Sequence, residues 1–292
     1  MRFTHGIAIL LVGLCRCNLF VFAGTAAADD AFPFALSVSR TMPENLLPNP
    51  GFEARDRAGQ LPLQWVFGNF IGVSEVQAGL TTDVHGGASA ASVRSEGNWP
   101  GYWIQEVPVQ EGVRYYAAVY IKAMLADGTA GLRLATSQYQ DEGSWMNNNS
   151  NTDVRSYAEC GQGLGLEDFI DPRYLRVIRK GEWNLYDLEF IVPKGKKVTK
   201  YAFWAGLYGA GTVCVDDAYF GPAAFELKGT FGGSSLKRLR IVDQGGTAYL
   251  DQPLRQGEST HAFKVILESR LKRYSIEVTD ARDARWNKPL GM

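Results

Sequence analysis

Histidine is scarce in this chain. The 292 residues hold 3, at positions 5, 85 and 261, too scattered for a His-based metal or acid–base cluster. The chain also lacks an evident Ser-His-Asp set and a G-x-S-x-G nucleophile turn. Charge of one sign is missing too: 30 Lys and Arg balance 31 Asp and Glu for a net charge of -1. That excludes the electrostatic footprint of a nucleic-acid binder and a trap for acidic substrates. Beyond residue 40 no long amphipathic helical pattern appears. What the chain does have is aromatic and turn-forming residues, with 7 Trp, 13 Tyr and 32 Gly, a balance that leans toward β structure with many turns.

The one long apolar run lies at the start. A positive "MRFTH", the apolar "GIAILLVGL" and "NLFVFAG", and the small residues of "TAAADD" read as a secretory signal peptide over residues 1–28. Arg16 interrupts the apolar run and argues against an anchor helix. Cleavage after Ala28 places the mature chain in a periplasmic, extracellular or cell-surface compartment with no transmembrane segment. It also removes Cys15 and Cys17, so of 4 cysteines only Cys160 and Cys214 remain. In an oxidising compartment two leftover cysteines suggest one disulfide; the alternative is two buried free thiols.

From residue 44 the apolar residues recur with period two. "SAASVRS", "GYWIQEVPV", "RYYAAVYIKAM", "GLRLATSQY", "NLYDLEFIV", "KYAFWAGLY" and "GTVCVDDAYF" each read as a strand, and "VQEGV", "ADGTAG" and "PKGKK" as turns between them. Many short strands at this spacing predict an all-β sandwich or barrel. Residues 29–43 read as a linker, 44–222 as the main domain and 223–292 as a small β-rich domain. The stretch "YAECGQGLGLEDFIDPRYLRVIRKG" breaks the rhythm as a long insertion.

"NLLPNPGFE", "LPLQW", "HGGASAASVRS", "WIQEVPVQEGVRYYAAVYIKA" and "VCVDDAYFGP", in that order and spacing, resemble the secreted jelly-roll carbohydrate-binding modules of the galactose-binding-domain-like group. The resemblance spans about residues 44 to 222 and is most specific at its two ends. It implies a jelly-roll β-sandwich, no catalysis, and a polysaccharide or glycoconjugate partner. In a jelly roll the first and last strands are neighbours, so Glu53 and Asp217 approach each other. Modules of this kind hold a structural Ca²⁺ there, and hard oxygen ligands suit that ion rather than Zn²⁺. On this reading Glu53 and Asp217 supply carboxylates and His85 its carbonyl. A plain hydrogen-bonded corner and a pair of catalytic acids are the competing readings.

A pyranose has apolar C–H faces and polar edges, so a site needs aromatic platforms beside hydrogen-bonding groups. Alternation turns Tyr115, Ala117, Val119 and Ile121 to the core, and Tyr116, Tyr120 and Lys122 to the other surface. Tyr139 with Arg133, or Trp204 with Tyr208, can line a shared face. Trp99 in "EGNWPGYW" and Trp145 in "DEGSWMNNNSN" sit among Gly and Asn, where a large ring has little core reason to be. With Trp103, the candidate ligand set is Trp99, Trp103, Tyr120, Lys122, Tyr139, Trp145 and Trp204. Core packing competes for every Trp, most strongly for Trp65, Trp183 and Trp204.

After Pro222, "RLRIVDQGGTAYL" and "KRYSIEVTDARD" resemble the strands of small immunoglobulin-like or fibronectin-like accessory sandwiches. About 70 residues is small for a stable domain, which implies support from the jelly roll beside it. "LKRLR" and "ESRLKR" are locally basic and read as solvated strand faces, with an anionic glycan or a surface as the alternative partner. Taken together the sequence points to a non-catalytic carbohydrate-binding protein. A polysaccharide-degrading enzyme or a structural, adhesive envelope protein are the alternatives.

Overall fold

A computed structural model describes residues 33–68, 75–135, 154–160, 168–171, 176–192, 194–195 and 198–290. The leader and the candidates Tyr139 and Trp145 lie outside the described residues. Among those described there is no helix, and the strands run in the order β1 (Leu36–Thr41), β2 (Val66–Gly68), β3 (Val76–Thr81), β4 (Ala90–Pro108) and β5 (Arg114–Ala135). Next come β6 (Val154–Cys160), β7 (Asp168–Asp171), β8 (Arg176–Arg179), β9 (Trp183–Ile191) and β10 (Lys200–Pro222). The last are β11 (Phe225–Gly232), β12 (Leu236–Asp243), β13 (Ala248–Pro253), β14 (Thr260–Leu267), β15 (Tyr274–Asp280) and β16 (Arg285–Leu290).

Three very long strands, β4, β10 and β5, lie side by side in a 9-stranded antiparallel sheet. They do not run straight. The Trp103 Nε1–H donates to the Ser92 carbonyl of its own strand at 3.3 Å. The rings of Phe203 and Phe220, both on β10, sit 6.5 Å apart; a straight strand would hold them more than about 50 Å apart at 3.3 Å per residue. The sheet therefore folds onto itself and makes two layers. The first layer joins β3, Ala91–Ser95 of β4, the C-terminal half of β10, the N-terminal half of β5, and β9. The second joins β2, Trp99–Pro108, Lys200–Gly209, Gly128–Ala135, and then β6, β7 and β8.

Glycine makes the fold-over possible. A Cβ on Gly128, at φ +98°, would lie 2.0 Å from the Tyr208 carbonyl oxygen, and one on Gly209, at φ +141°, 2.2 Å from the Asp127 carbonyl oxygen. Two backbones this close exclude any side chain between them. The register shifts at Gly209/Gly211 and Ala210/Gly211 mark the same bend.

Between the layers lies one core. Val93, Ile121, Val213, Val215, Tyr186 and Leu188 of the first layer meet Trp103, Leu132, Leu134, Tyr201, Phe203 and Leu207 of the second. Tyr115, Ala117, Val119 and Ile121 all face this core, as alternation predicts. Trp65 is buried as well, its ring 4.6 Å from Phe52 and 5.9 Å from Phe203.

The stretch before the jelly roll is not a linker. β1 pairs antiparallel with β11 over its whole length, from Leu36 opposite Phe231 to Thr41 opposite Glu226. It completes a three-stranded sheet, β1-β11-β14, that packs on a four-stranded one, β13-β12-β15-β16, around Leu227, Phe231, Leu239, Ile241, Phe263 and Ile276. Leu36, its first residue, and Phe34 just before it pack on that core, and their partial burial holds the segment there. The jelly roll is thus inserted into the small sandwich, leaving from Thr41 and returning at Phe225 beside it.

The two sandwiches are joined through polar contacts. Glu189 accepts hydrogen bonds from the Ser269 hydroxyl at 2.6 Å, the Leu271 amide at 3.3 Å and the Arg270 amide. The Arg270 guanidinium lies against both the Tyr116 and Tyr219 rings, 4.8 and 4.2 Å from centroids that are themselves 6.0 Å apart, and donates to the Tyr219 hydroxyl.

Candidate functional site

The opening corner fastens the chain's entry to its last long strand. The Asn45 amide donates to the Ala218 carbonyl at 2.9 Å and accepts from the Phe220 amide at 3.0 Å, while the Leu46 amide donates to the Phe220 carbonyl at 2.7 Å. Asn49 repeats the device locally: its side chain bridges Ala54 and Leu63, and its carbonyl takes the Trp65 indole N–H. Phe52 sits at φ +56°, a conformation that costs about 1–3 kcal/mol in a bulky residue. Complete burial of its ring offsets that with about 1.5–3 kcal/mol.

Glu53 and Asp217 do converge here. The Glu53 carboxylate accepts from the Ala88 and Ser89 amides at 2.8 and 3.2 Å, and Asp217 meets the His85 ring Nδ1 at 2.7 Å. Both carboxylates close on the Gly86–Gly87 backbone: a Cβ on Gly86 would lie 2.7 Å from Asp217 Oδ2, and one on Gly87 1.9 Å from Glu53 Oε1. Asp216, not predicted from sequence, is wholly buried and holds the facing loop through the His85 and Gly86 amides at 2.9 and 3.1 Å. Burial pushes its carboxyl above the usual carboxylate range, against the backbone amides that favour the charged form. The doubled "VDD" was the signal; which Asp turns inward depends on the register shift at Asp216/Tyr219.

Glu53 Oε2 and Asp217 Oδ1 are left without partners among the described residues, so the donors on offer are hard carboxylate oxygens beside backbone. No group of three or more His, Cys, Asp or Glu among the described residues is arranged to hold a metal. The His85 ring serves Asp217 instead.

The predicted ligand residues separate onto different surfaces. Trp103 is a correction: it is fully enclosed in the core, because Trp103, Gln105 and Val107 are the inward set of β4. Trp99 is half-buried and packs on the same core. Tyr120 and Lys122 lie on the outer face of the first layer, Lys122 paired with Asp83 at 2.7 Å. Trp204 lies on the opposite side of the molecule, on the outer face of the second layer.

That second face has a definite relief. One register row crosses three strands as Tyr102, Gly206 and Gly131; the row on one side is Ile104, Trp204 and Arg133, and on the other Pro100, Tyr208 and Thr129. The two glycines bring no side chains to their row, yet both are buried, and a Cβ on Gly206 would meet the Gly101 carbonyl oxygen at 2.1 Å, so Gly206 serves the close packing of β10 on β4 rather than an open floor. Trp204 and Tyr208 stand along β10 on either side of that row, about 13 Å apart at 3.3 Å per residue. The Trp204 end is enclosed, at 7 % exposure, whereas Tyr208 is 45 % exposed. The Arg133 guanidinium lies 5.1 Å from the Trp204 ring centroid, and the Tyr102 ring 5.8 Å from it. Lys200 and Glu106, paired at 3.2 Å, bring further polar groups to the edge of this face. The pairing of Trp204 with Tyr208 was legible from alternation, but the Gly206–Gly131 row between them needed the register.

The expected disulfide does not form: Cys214 is a free, buried thiol. It pairs opposite Lys122, and Cys160 opposite Gly128, positions about 20 Å apart along β5. A disulfide needs Cα atoms within about 7 Å. Burial, then the nearby Asp83 charge, pushes the Cys214 thiol up to about 11.

No protein-family model matches the chain, and no curated protein does. Solved structures with a similar course include the enzymatically active domain of bacteriophage CBA120 tailspike protein 4, at 12 % identity and TM-score 0.42 over 61 % of this chain. The similarity spans 21 % of that tailspike chain. A CBM61 module in complex with β-1,4-galactotriose is similar at 17 % identity and TM-score 0.36, over 62 % of this chain and 99 % of the module. The CBM22-1 xylan-binding domain of Paenibacillus barcinonensis Xyn10C is similar at 10 % identity and TM-score 0.34, over 58 % and 89 %. Nothing about ligands follows for this chain from likenesses this distant.

Proposed function

We propose that this chain is a non-catalytic carbohydrate-binding protein that seats a polysaccharide or glycoconjugate on the outer face of the second jelly-roll layer. The observation that carries this reading is the exposed Tyr208 on the same outer face as Trp204 and Arg133, with only glycine between their rows on β10 and β5. A sugar ring offers an apolar face to an indole or phenol and hydroxyls to the groups beside it. Exposed Tyr208 offers the open platform, and Trp204, packed with Tyr102 and Arg133, backs it along β10. Strands on both sides hold these groups, so little ordering is left for binding to supply.

The reading includes a Ca²⁺ at the Glu53–Asp217 corner, where the ion would fasten the entry loop to β10 as a structural ligand. It also includes secretion, supported by the leader pattern of residues 1–28. No helix among the described residues is long and apolar enough to cross a membrane.

Incubation of residues 29–292 with a panel of insoluble neutral and acidic polysaccharides tests the binding. Retention on at least one polymer is expected, and passage through all of them contradicts it. For the ion, a chelator should lower the melting temperature of the wild type and leave that of a Glu53→Gln, Asp217→Asn variant unmoved. Equal melting with and without Ca²⁺ would reduce the corner to a hydrogen-bonded fastening.

A further inference from the structure

The outer face of the first layer carries a second aromatic arrangement, on the side of the molecule away from Trp204. The His85 ring lies flat on Tyr120, with centroids 3.6 Å apart and planes 13° from parallel. Trp183 stands beside it, 5.9 Å away at 66°. Together they form an L-shaped corner, with a two-ring floor and an indole wall. The corner is built from several elements. Trp183 opens β9 directly opposite Lys122 on β5, and Tyr120 sits between Leu185 and Asp216. His85 comes from the loop that Asp216 anchors through two backbone amides.

None of these rings is needed to close the main core, which lies on the other side of this layer. The upper ring stays open: the His85 side chain is 32 % exposed. Its Nδ1 is taken by Asp217, and its Nε2 has no partner among the described residues. Around the corner stand Asp217, at 44 % side-chain exposure, Lys122 at 24 % and Asp83 at 45 %. Lys122 and Asp83 are paired to each other, so they present donor and acceptor edges without a net charge. A flat two-ring floor, a steep indole wall and a polar rim of Asp217, Lys122 and Asp83 suit a single saccharide ring, which offers a C–H face to the rings and hydroxyls to the groups beside them.

We infer that the His85–Tyr120–Trp183 corner is a second saccharide-binding site, independent of the one proposed on the second layer. Sites on opposite faces of one sandwich cannot be reached by the same short oligosaccharide. Two of them let a single molecule bridge two glycan chains, where linked sites gain avidity through effective concentration.

Indole N–H resonances of the ¹⁵N-labelled protein separate the two sites. Xylohexaose, cellohexaose and β-1,4-galactotriose are titrated in turn into the wild type, Trp183→Ala and Trp204→Ala. Expected for at least one sugar are shifts of the Trp183 indole that persist in Trp204→Ala. In Trp183→Ala the shifts of the Trp204 indole should persist, which also shows that this variant is folded. A Trp204 indole that responds while Trp183 stays still with all three sugars overturns the second site and leaves the first standing. A Trp183 response that disappears in a folded Trp204→Ala protein overturns their independence. Stillness of both indoles counts against both sites.

Discussion

Asn45 does more than any charged residue in the corner it shares with Glu53. Its one amide group pairs the Ala218 carbonyl and the Phe220 amide of β10 and also the Leu47 amide. Asn45→Ala strands these groups around the fully buried Phe220 ring, at a cost of about 1–3 kcal/mol. Urea unfolding should show that loss as a lower midpoint with an unchanged slope. Cys214 gives a second residue-scale expectation. A thiol held at about 11 carries little thiolate at neutral pH. Labelling by a thiol-specific reagent should therefore stay slow up to about pH 9 in the native protein and become fast in denaturant, and a reductant should leave the melting temperature unchanged.

The residue scale also shows what the sequence could disclose. Tyr115, Ala117, Val119 and Ile121 were readable as inward because the opposite set of β5 carries Lys122. In β4 both sets mix apolar and polar residues: Trp103, Gln105 and Val107 against Tyr102, Ile104 and Glu106. Parity there has no sequence signature, so Trp103 passed for a surface ring. Asp216 and Asp217 posed a similar ambiguity, which only the bulge in β10 resolves.

At the scale of elements, the long strands were legible as strands but not as shared members of two layers. A fold-over at Gly128 and Gly209 depends on two backbones touching, and the glycines alone read equally well as turns. β1 was hidden for another reason: "LSVSRT" is short and polar, and its partner β11 follows only after the whole jelly roll. The joint between the sandwiches was likewise invisible. Glu189, Tyr116, Tyr219 and Arg270 come from four distant strands and loops, and "ESRLKR" read simply as a solvated basic face. Arg270 instead packs against two adjoining tyrosine rings, an arrangement worth about 2 kcal/mol when desolvated. Arg270→Ala should turn one calorimetric unfolding transition into two, as the sandwiches lose their coupling; a single transition with unaltered shape would mean that other contacts carry it.

At the scale of the molecule, the small sandwich depends on residues from both ends of the chain. Phe34, Leu36 and the hydrogen bonds of β1 complete its three-stranded sheet. Removing residues 29–41 exposes the β11 edge and part of the core, while the jelly roll keeps every strand it needs. A chain of residues 42–292 should therefore keep a cooperative jelly-roll transition of smaller calorimetric enthalpy than the full chain's, with new binding of a hydrophobic dye. The insertion also bears on presentation. Both connections leave the small sandwich side by side, and the Arg270 joint holds the jelly roll close to it, while the Trp204–Tyr208 face lies on the other layer from that joint.

The central claim is that the Trp204–Tyr208 face seats a sugar. Electrophoresis of the native protein through gels containing a soluble polysaccharide that retains the wild type, alongside a Trp204→Ala variant with an unchanged circular dichroism spectrum, tests it directly. The account predicts that the polymer slows the wild type and that the variant loses most of that retardation, tenfold or more in affinity. Equal retardation of the two proteins would place binding elsewhere and contradict it.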